Sequence, residues 1–109
     1  MTHKIDATYN TKAVTVSTGD LVEIKLHEIP TAGYRWEVVA GPDAHVYNLE
    51  GDDYEVNHDA AVGGGGVRTL RFRINKNGTD SIKLINRQSW SKEIDKTFEI
   101  KIAGKKRGE

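Results

Sequence analysis

Apolar side chains in this chain recur at every second position, in short runs, and no stretch carries a capped helical stripe. In the run 21–26, Val22, Ile24 and Leu26 share one face and Glu23 and Lys25 the other. Tyr34, Trp36 and Val38 alternate with Arg35 and Glu37. In the run 67–74, Leu70, Phe72 and Ile74 point one way and Thr69, Arg71 and Arg73 the other. Ile82, Leu84 and Asn86 share a face, and Phe98, Ile100 and Ile102 alternate with Thr97, Glu99 and Lys101. Successive side chains of a pleated strand point to opposite faces, so each run reads as a strand with one buried side.

Two further runs complete the set: Ala13-Val14-Thr15-Val16, and a weaker strand over His45 to Tyr54 interrupted near Gly51. Turn residues separate the runs at Ser17-Thr18-Gly19-Asp20, Ala40-Gly41-Pro42-Asp43 and Asn75 to Asp80. About seven short strands at this spacing predict an all-β fold, an immunoglobulin-like antiparallel β-sandwich, with Trp36 on the third strand as the core aromatic. Asn77-Gly78 has the composition of a tight hairpin turn. In such a sandwich the strands it joins lie in different sheets, so it is expected to act as a crossover. Asn77-Gly78-Thr79 also matches a glycosylation acceptor, although the turn explains it without one.

A chain of 109 residues fits one domain, 1–109, with one modest core. Its 16 Lys and Arg balance 16 Asp and Glu. Charge therefore gives no reason to expect nucleic acid or an anionic membrane as partner. The basic stretch Lys105-Lys106-Arg107 is expected to be part of a flexible tail over about 104–109. Cysteine is absent, which removes thiol chemistry and disulfides and leaves the compartment open. The segment Met1 to Asp6 has no long apolar region. The protein is expected in the cytoplasm if that N-terminus is native, and exported if a signal has been removed. A monomer is the simple expectation.

Enzyme chemistry finds little support. Asp52, Asp53, Glu55, His58 and Asp59 could include an acid–base pair, but they equally describe a solvated loop. His3, His27, His45 and His58 match no metal motif, so a metal-dependent enzyme requires the fold to gather them. Ser17, Ser81, Ser89 and Ser91 have no nucleophile-elbow context. The glycines of 63–66 lack the Lys-Ser/Thr of a phosphate loop.

Three segments between the strands look instead like contact loops. In Ile29-Pro30-Thr31-Ala32-Gly33-Tyr34, proline stiffens the entry and Gly33 can take positive φ, which leaves Thr31 and Ala32 near the tip of a stiff protrusion. Gly63-Gly64-Gly65-Gly66 is costly to order, and suits either a mobile connector or close approach to another backbone. Arg87-Gln88-Ser89-Trp90 sets a cation and a large aromatic beyond a strand end, as interface anchors are. Alternatively, Trp90 folds back on the core edge with Arg87 stacked on it. In an immunoglobulin-like sandwich these loops fall between strands two and three, four and five, and six and seven. The first and third emerge at one end, and the second can reach it.

The order and residues of these segments resemble the chagasin-type inhibitors of papain-like cysteine peptidases. That family's pattern is Asn-Pro-Thr-Thr-Gly-aromatic, then Gly-x-Gly-Gly, then Arg-x-Pro-Trp. Pro30, Thr31, Gly33 and Tyr34 match the first, Gly63, Gly65 and Gly66 the second with Gly64 as the variable residue, and Arg87 and Trp90 the third. The resemblance implies a reversible, tight-binding inhibitor that needs no cofactor. Thr31 and its loop would enter the active-site cleft, the glycine loop would lie along it, and Trp90, supported by Arg87, would pack on an aromatic surface of the peptidase. Ile29, Ala32 and Ser89 depart from the pattern. The first loses a side-chain brace of the loop, and the last loses a proline that would stiffen it. The other class the same loops suit is an adhesion or receptor-like module that binds a protein or glycan.

Overall fold

The alternating runs form eight strands in the computed structural model, which describes residues 1–39, 45–56 and 65–107. They are β1 (Thr2–Ile5), β2 (Ala13–Ser17), β3 (Leu21–Glu28), β4 (Tyr34–Val38), β5 (Tyr47–Val56), β6 (Gly66–Ile74), β7 (Gly78–Gln88) and β8 (Lys96–Lys105). One four-stranded sheet has the order β1-β3-β6-β5 and the other β2-β8-β7-β4. The sandwich is as the alternation predicts, with two differences. An eighth strand, β1, precedes the others, and β1–β3 and β2–β8 are parallel pairs, so each sheet is mixed. Thr2, His3 and Lys4 hide β1 from a hydrophobic reading, since only Ile5 of that strand is buried. A 3₁₀ turn at Ala7–Tyr9 carries the chain from β1 in one sheet to β2 in the other.

Between the sheets lie the faces the sequence marks as apolar. Val22, Ile24 and Leu26 of β3 and Leu70, Phe72 and Ile74 of β6 meet Ile82 and Leu84 of β7 and Phe98, Ile100 and Ile102 of β8. Trp36 is in this core at 6 % exposure. Tyr47 packs edge-on against Phe72, with ring centroids 5.4 Å apart. Burial and the charge of Asp80 push its phenol up to about 12, while its hydroxyl donates to the Ser81 carbonyl at 2.9 Å. Burying such side chains contributes about 1.5–3 kcal/mol each, which is what holds two otherwise polar-faced sheets together.

Details of the turns follow the same logic. The Asn77–Gly78 turn carries the chain from β6 in one sheet to β7 in the other, a crossover, and Gly78 has φ 134°. The interruption of β5 is a bulge between Leu49 and Gly51. Part of the C-terminal stretch has partners in the fold. Strand β8 continues to Lys105, paired with Ser17, and the Arg107 guanidinium donates to Asp20 at 2.7 Å and to the Thr18 carbonyl at 3.0 Å. The turn Ala40-Gly41-Pro42-Asp43 lies outside the described residues.

Asp20 is buried at 3 % exposure, where four donors converge on its carboxylate. His3 Nε2 lies at 2.8 Å, the Ser17 backbone N–H at 3.0 Å, Arg107 at 2.7 Å and the Met1 amino group at 3.4 Å. Burial raises its pKa, but the hydrogen bonds from His3, Ser17 and the Met1 amine outweigh it, and the carboxyl titrates well below the usual range. A carboxylate whose folded pKa lies below its unfolded value near 4 stabilises the native state fully above about pH 4 and loses that contribution as pH falls. Asp20→Asn is therefore expected to destabilise the protein by about 2 kcal/mol at neutral pH. The gap from wild type should close as urea unfolding is repeated below about pH 4. A gap that stays constant down to acid would show that the charge is not what stabilises.

Candidate functional site

Loops β3–β4, β5–β6 and β7–β8 are those singled out in the sequence, displaced by one in strand count because of β1. The first is a 3₁₀ turn at Pro30–Ala32, with proline in its first turn. The Ile29 carbonyl accepts from the Ala32 and Tyr34 N–H groups at 3.2 and 3.3 Å, and Pro30 accepts from Gly33 at 2.8 Å. Gly33 closes the turn at φ 85°, a left-handed geometry that disfavours a side chain. Pro30, Thr31 and Ala32 are exposed, while Tyr34 is half-buried. No side chain caps the turn, as the Ile29 departure implies, so its backbone bonds and its neighbours must hold it.

The third loop supplies one neighbour. Its tight turn is closed by the Ser91 N–H to the Gln88 carbonyl at 3.0 Å. Arg87 fixes that turn from beneath, donating to the Ser91 carbonyl at 2.8 Å and to Glu37 at 3.2 Å. Arg87 is thus engaged with the turn and β4 instead of stacking on Trp90. Trp90 does not fold into the core; it is 71 % exposed. Its ring nevertheless covers Gly33, where a Cβ would fall among ring atoms Cη2 and Cζ3. Gln88 donates through Nε2 to the Ala32 carbonyl at 3.0 Å.

Of the glycine run, Gly65 meets the root of the first loop at Glu28 and Ile29. Gly65, at φ 79°, lies so close to Glu28 that a Cβ would strike the Glu28 carbonyl oxygen. Gly66 is buried, and a Cβ there would strike the Glu55 carbonyl oxygen. These two glycines answer a need for close backbone approach within the protein. Gly63 and Gly64 lie outside the described residues.

Beneath the loops the core turns polar, which the hydrophobic pattern does not announce. The Glu28 side chain has no solvent exposure and accepts from Arg68 Nη2 at 2.6 Å, Arg68 Nε at 3.0 Å and the Trp36 backbone N–H at 2.9 Å. The bidentate pair ties β3 to β6 within one sheet, and the Trp36 bond crosses to β4 in the other. Trp36 Nε1 adds a bond to the His27 carbonyl at 2.8 Å. Arg68 also donates to Asp52 at 2.9 Å, and lies 5.3 Å from the Tyr54 ring centre. Its hydrogen bonds with Glu28, against burial and with help from Asp52, raise its pKa, so it stays charged. Parity could have found both groups. Glu28 continues the inward series Val22, Ile24, Leu26, and Arg68 precedes the inward series Leu70, Phe72, Ile74.

Residues weighed for catalysis are dispersed. Asp52 and Asp53 are ion-paired with Arg68 and Arg71, at 2.9 and 2.7 Å. His3 pairs with Asp20 and His45 with Asp80, at separate places in the fold, and His27 is exposed on β3. His58 and Asp59 lie outside the described residues. Among the described residues, no group of three or more His, Asp or Glu side chains could hold a metal ion.

The arrangement is thus a set of adjoining loops with an exposed aromatic, mounted on a rigid polar foundation, which suits binding. Comparison with known proteins agrees. Residues 15–102 match the family model described as chagasin family peptidase inhibitor I42. Chagasin of Trypanosoma cruzi is 28 % identical over 95 residues, covering 84 % of this chain and 86 % of that protein. The crystal structure of the cysteine protease inhibitor EhICP2 from Entamoeba histolytica superposes with a TM-score of 0.81, at 22 % identity over 95 % of each chain. PbICP-C, solved in complex with falcipain-2, has the same fold at a TM-score of 0.57 and 14 % identity, over 97 % of this chain and 91 % of that one. A family match over most of the chain, on a fold whose loops carry the family's residues, places it: this protein belongs to the chagasin family of peptidase inhibitors.

Proposed function

We propose that this protein is a reversible, tight-binding inhibitor of papain-like cysteine peptidases and that its three loops occupy the active-site cleft together. The observation that carries this is the grouping of the exposed turn Pro30–Ala32, Gly65 packed against Glu28 at the root of that turn, and a Trp90 ring left 71 % exposed beside Gly33. A large aromatic held in the open costs hydrophobic free energy unless a partner covers it. The complex of PbICP-C with falcipain-2 supports a peptidase as that partner.

In this reading Thr31 and Ala32 lead a narrow, stiff turn into the cleft. Its backbone is already bonded within the turn, so little conformational entropy is lost on binding. The turn is closed in a left-handed residue at Gly33, so it does not present the extended strand a peptidase cuts. The glycine segment lies along the cleft through its backbone, with Gly65 and Gly66 as its footing. Trp90 packs on the peptidase surface, and Arg87 holds the turn that carries it. Three such loops can supply an interface of about 1,600 Å², the size usual for protease–inhibitor pairs.

The test is a titration of active papain with the protein, following hydrolysis of a fluorogenic peptide. Activity should fall to zero near one-to-one, with the inhibitor recovered uncleaved. Trp90→Ala should weaken inhibition by about 2 kcal/mol or more, as the loss of an aromatic hot spot does. Absence of inhibition of papain and of a cathepsin-L-like enzyme at micromolar protein would overturn the assignment.

A further inference from the structure

Resting on the inhibitor reading, we propose that Gln88 and Trp90 are positioning residues for the first loop, so that loops one and three form a single unit before any peptidase arrives. Trp90 then has two roles on two sides of one ring. One side covers Gly33, where no side chain could be accommodated, and the exposed remainder is free for a partner. Gln88 adds a directed bond, Nε2 to the Ala32 carbonyl at 3.0 Å.

The need for these contacts comes from the loop itself. The turn at Pro30–Ala32 has no side-chain cap, and its tip residues are exposed. Beyond its own backbone bonds, the described contacts on it come from the third loop through Gln88 and Trp90, and from Gly65 at its root. Strand pairing supplies the leverage. Tyr34 of β4 stands opposite Gln88 of β7, so the Gln88 side chain starts from a rigid ladder one residue from the turn it holds. Arg87, bonded to the Ser91 carbonyl and to Glu37, fixes the angle at which Trp90 approaches. The connection thus runs from Glu37 on β4 through Arg87 to the Ser91 carbonyl, along the chain to the adjacent Trp90, and from its ring to Gly33 just before β4.

Such pre-assembly lowers the ordering cost of binding. It also separates Gln88 from an ordinary contact residue. If Gln88 acts through its donor, Gln88→Glu, which keeps the size and removes the N–H, should cost as much as Gln88→Ala, about fivefold in affinity for papain. Thermal stability should change little, because Gln88 is only half-buried at a strand end. A packing role would leave Gln88→Glu close to wild type.

The deciding measurement is amide hydrogen exchange in the free protein at Gly33 and Tyr34, whose N–H groups close the first loop. Trp90→Ala and Gln88→Glu should each speed exchange at these two amides by about tenfold, while core amides such as those of Ile82 and Ile100 keep their rates. Unchanged exchange at Gly33 and Tyr34 in both variants would overturn the proposal, as would Gln88→Glu inhibiting papain as well as wild type. Because exchange is read without a peptidase, its outcome is independent of whether papain is inhibited. Failure of inhibition by the wild type would remove the functional reading and leave the exchange result standing.

Discussion

Glu28→Ala is expected to destabilise the protein by about 3–5 kcal/mol, the largest effect of any single exchange discussed. The side chain is fully buried, and its removal takes from Arg68, which is 11 % exposed, its bidentate partner and leaves the half-exposed Asp52 as its remaining carboxylate partner. It also orphans the Trp36 backbone N–H on the free edge of β4. Leaving one charge of a buried pair uncompensated costs far more than the pair itself contributes. Urea unfolding is the measurement, with Glu28→Leu/Arg68→Met as the companion. Removing both charges together should recover most of the loss, because an apolar pair of similar volume needs no compensation. A loss below about 1 kcal/mol for Glu28→Ala would show that water replaces the carboxylate and that the polar foundation is not structural.

The second large effect is on binding. Thr31→Arg is expected to weaken inhibition of papain by about 100-fold, roughly 2.7 kcal/mol, with the melting temperature unchanged. Thr31 is exposed in the free protein, so the fold tolerates any side chain there. In the proposed complex the same position would be enclosed by the cleft, where a bulky cation would have to be desolvated. Burying an unpaired charge costs several kcal/mol, and part of it can be relieved by the flexible arginine stem reaching solvent. Retained inhibition would place the first loop outside the cleft and leave Trp90 as the main anchor.

Most of the architecture is readable in the residues. Alternation in β3, β6, β7 and β8 marks the inward faces correctly, down to Asn86, which is 4 % exposed opposite Trp36. The crossover at Asn77–Gly78 and the bulge near Gly51 also announce themselves through glycine. Strand β1 does not, because three of its four residues are polar or charged and its pairing with β3 is made by the backbone. The partners of the basic stretch near the C-terminus are hidden for a related reason. Its composition suits solvent, but Arg107 finds a buried carboxylate 87 positions earlier in the chain.

The loops divide in the same way. Proline, glycine and tryptophan identify them from residues alone, because each constrains its own backbone or carries its own surface. What those residues touch is a matter of distance in space. Gly33 reads as a site of positive φ and Gly65 as part of a run suited to close backbone approach, and both adopt positive φ. The fold adds a second requirement at each, the Trp90 ring at one and the Glu28 carbonyl at the other. Gly66 reads as part of a contact loop, yet it is a buried strand residue against the Glu55 carbonyl.

Period-two patterning, turn chemistry and three short motifs were enough to specify a β-sandwich and to single out three of its loops, since these depend on neighbours along the chain. The Glu28–Arg68–Asp52 foundation, the Asp20 cluster and the joining of Trp90 and Gln88 to the first loop depend on partners 16 to 87 residues apart. Pairing of strands distant in sequence, together with the packing of the two sheets, brings such groups within hydrogen-bond range. Local sequence carries no record of that distance, which is why the foundation of the site became visible in three dimensions while its exposed tips were visible in one.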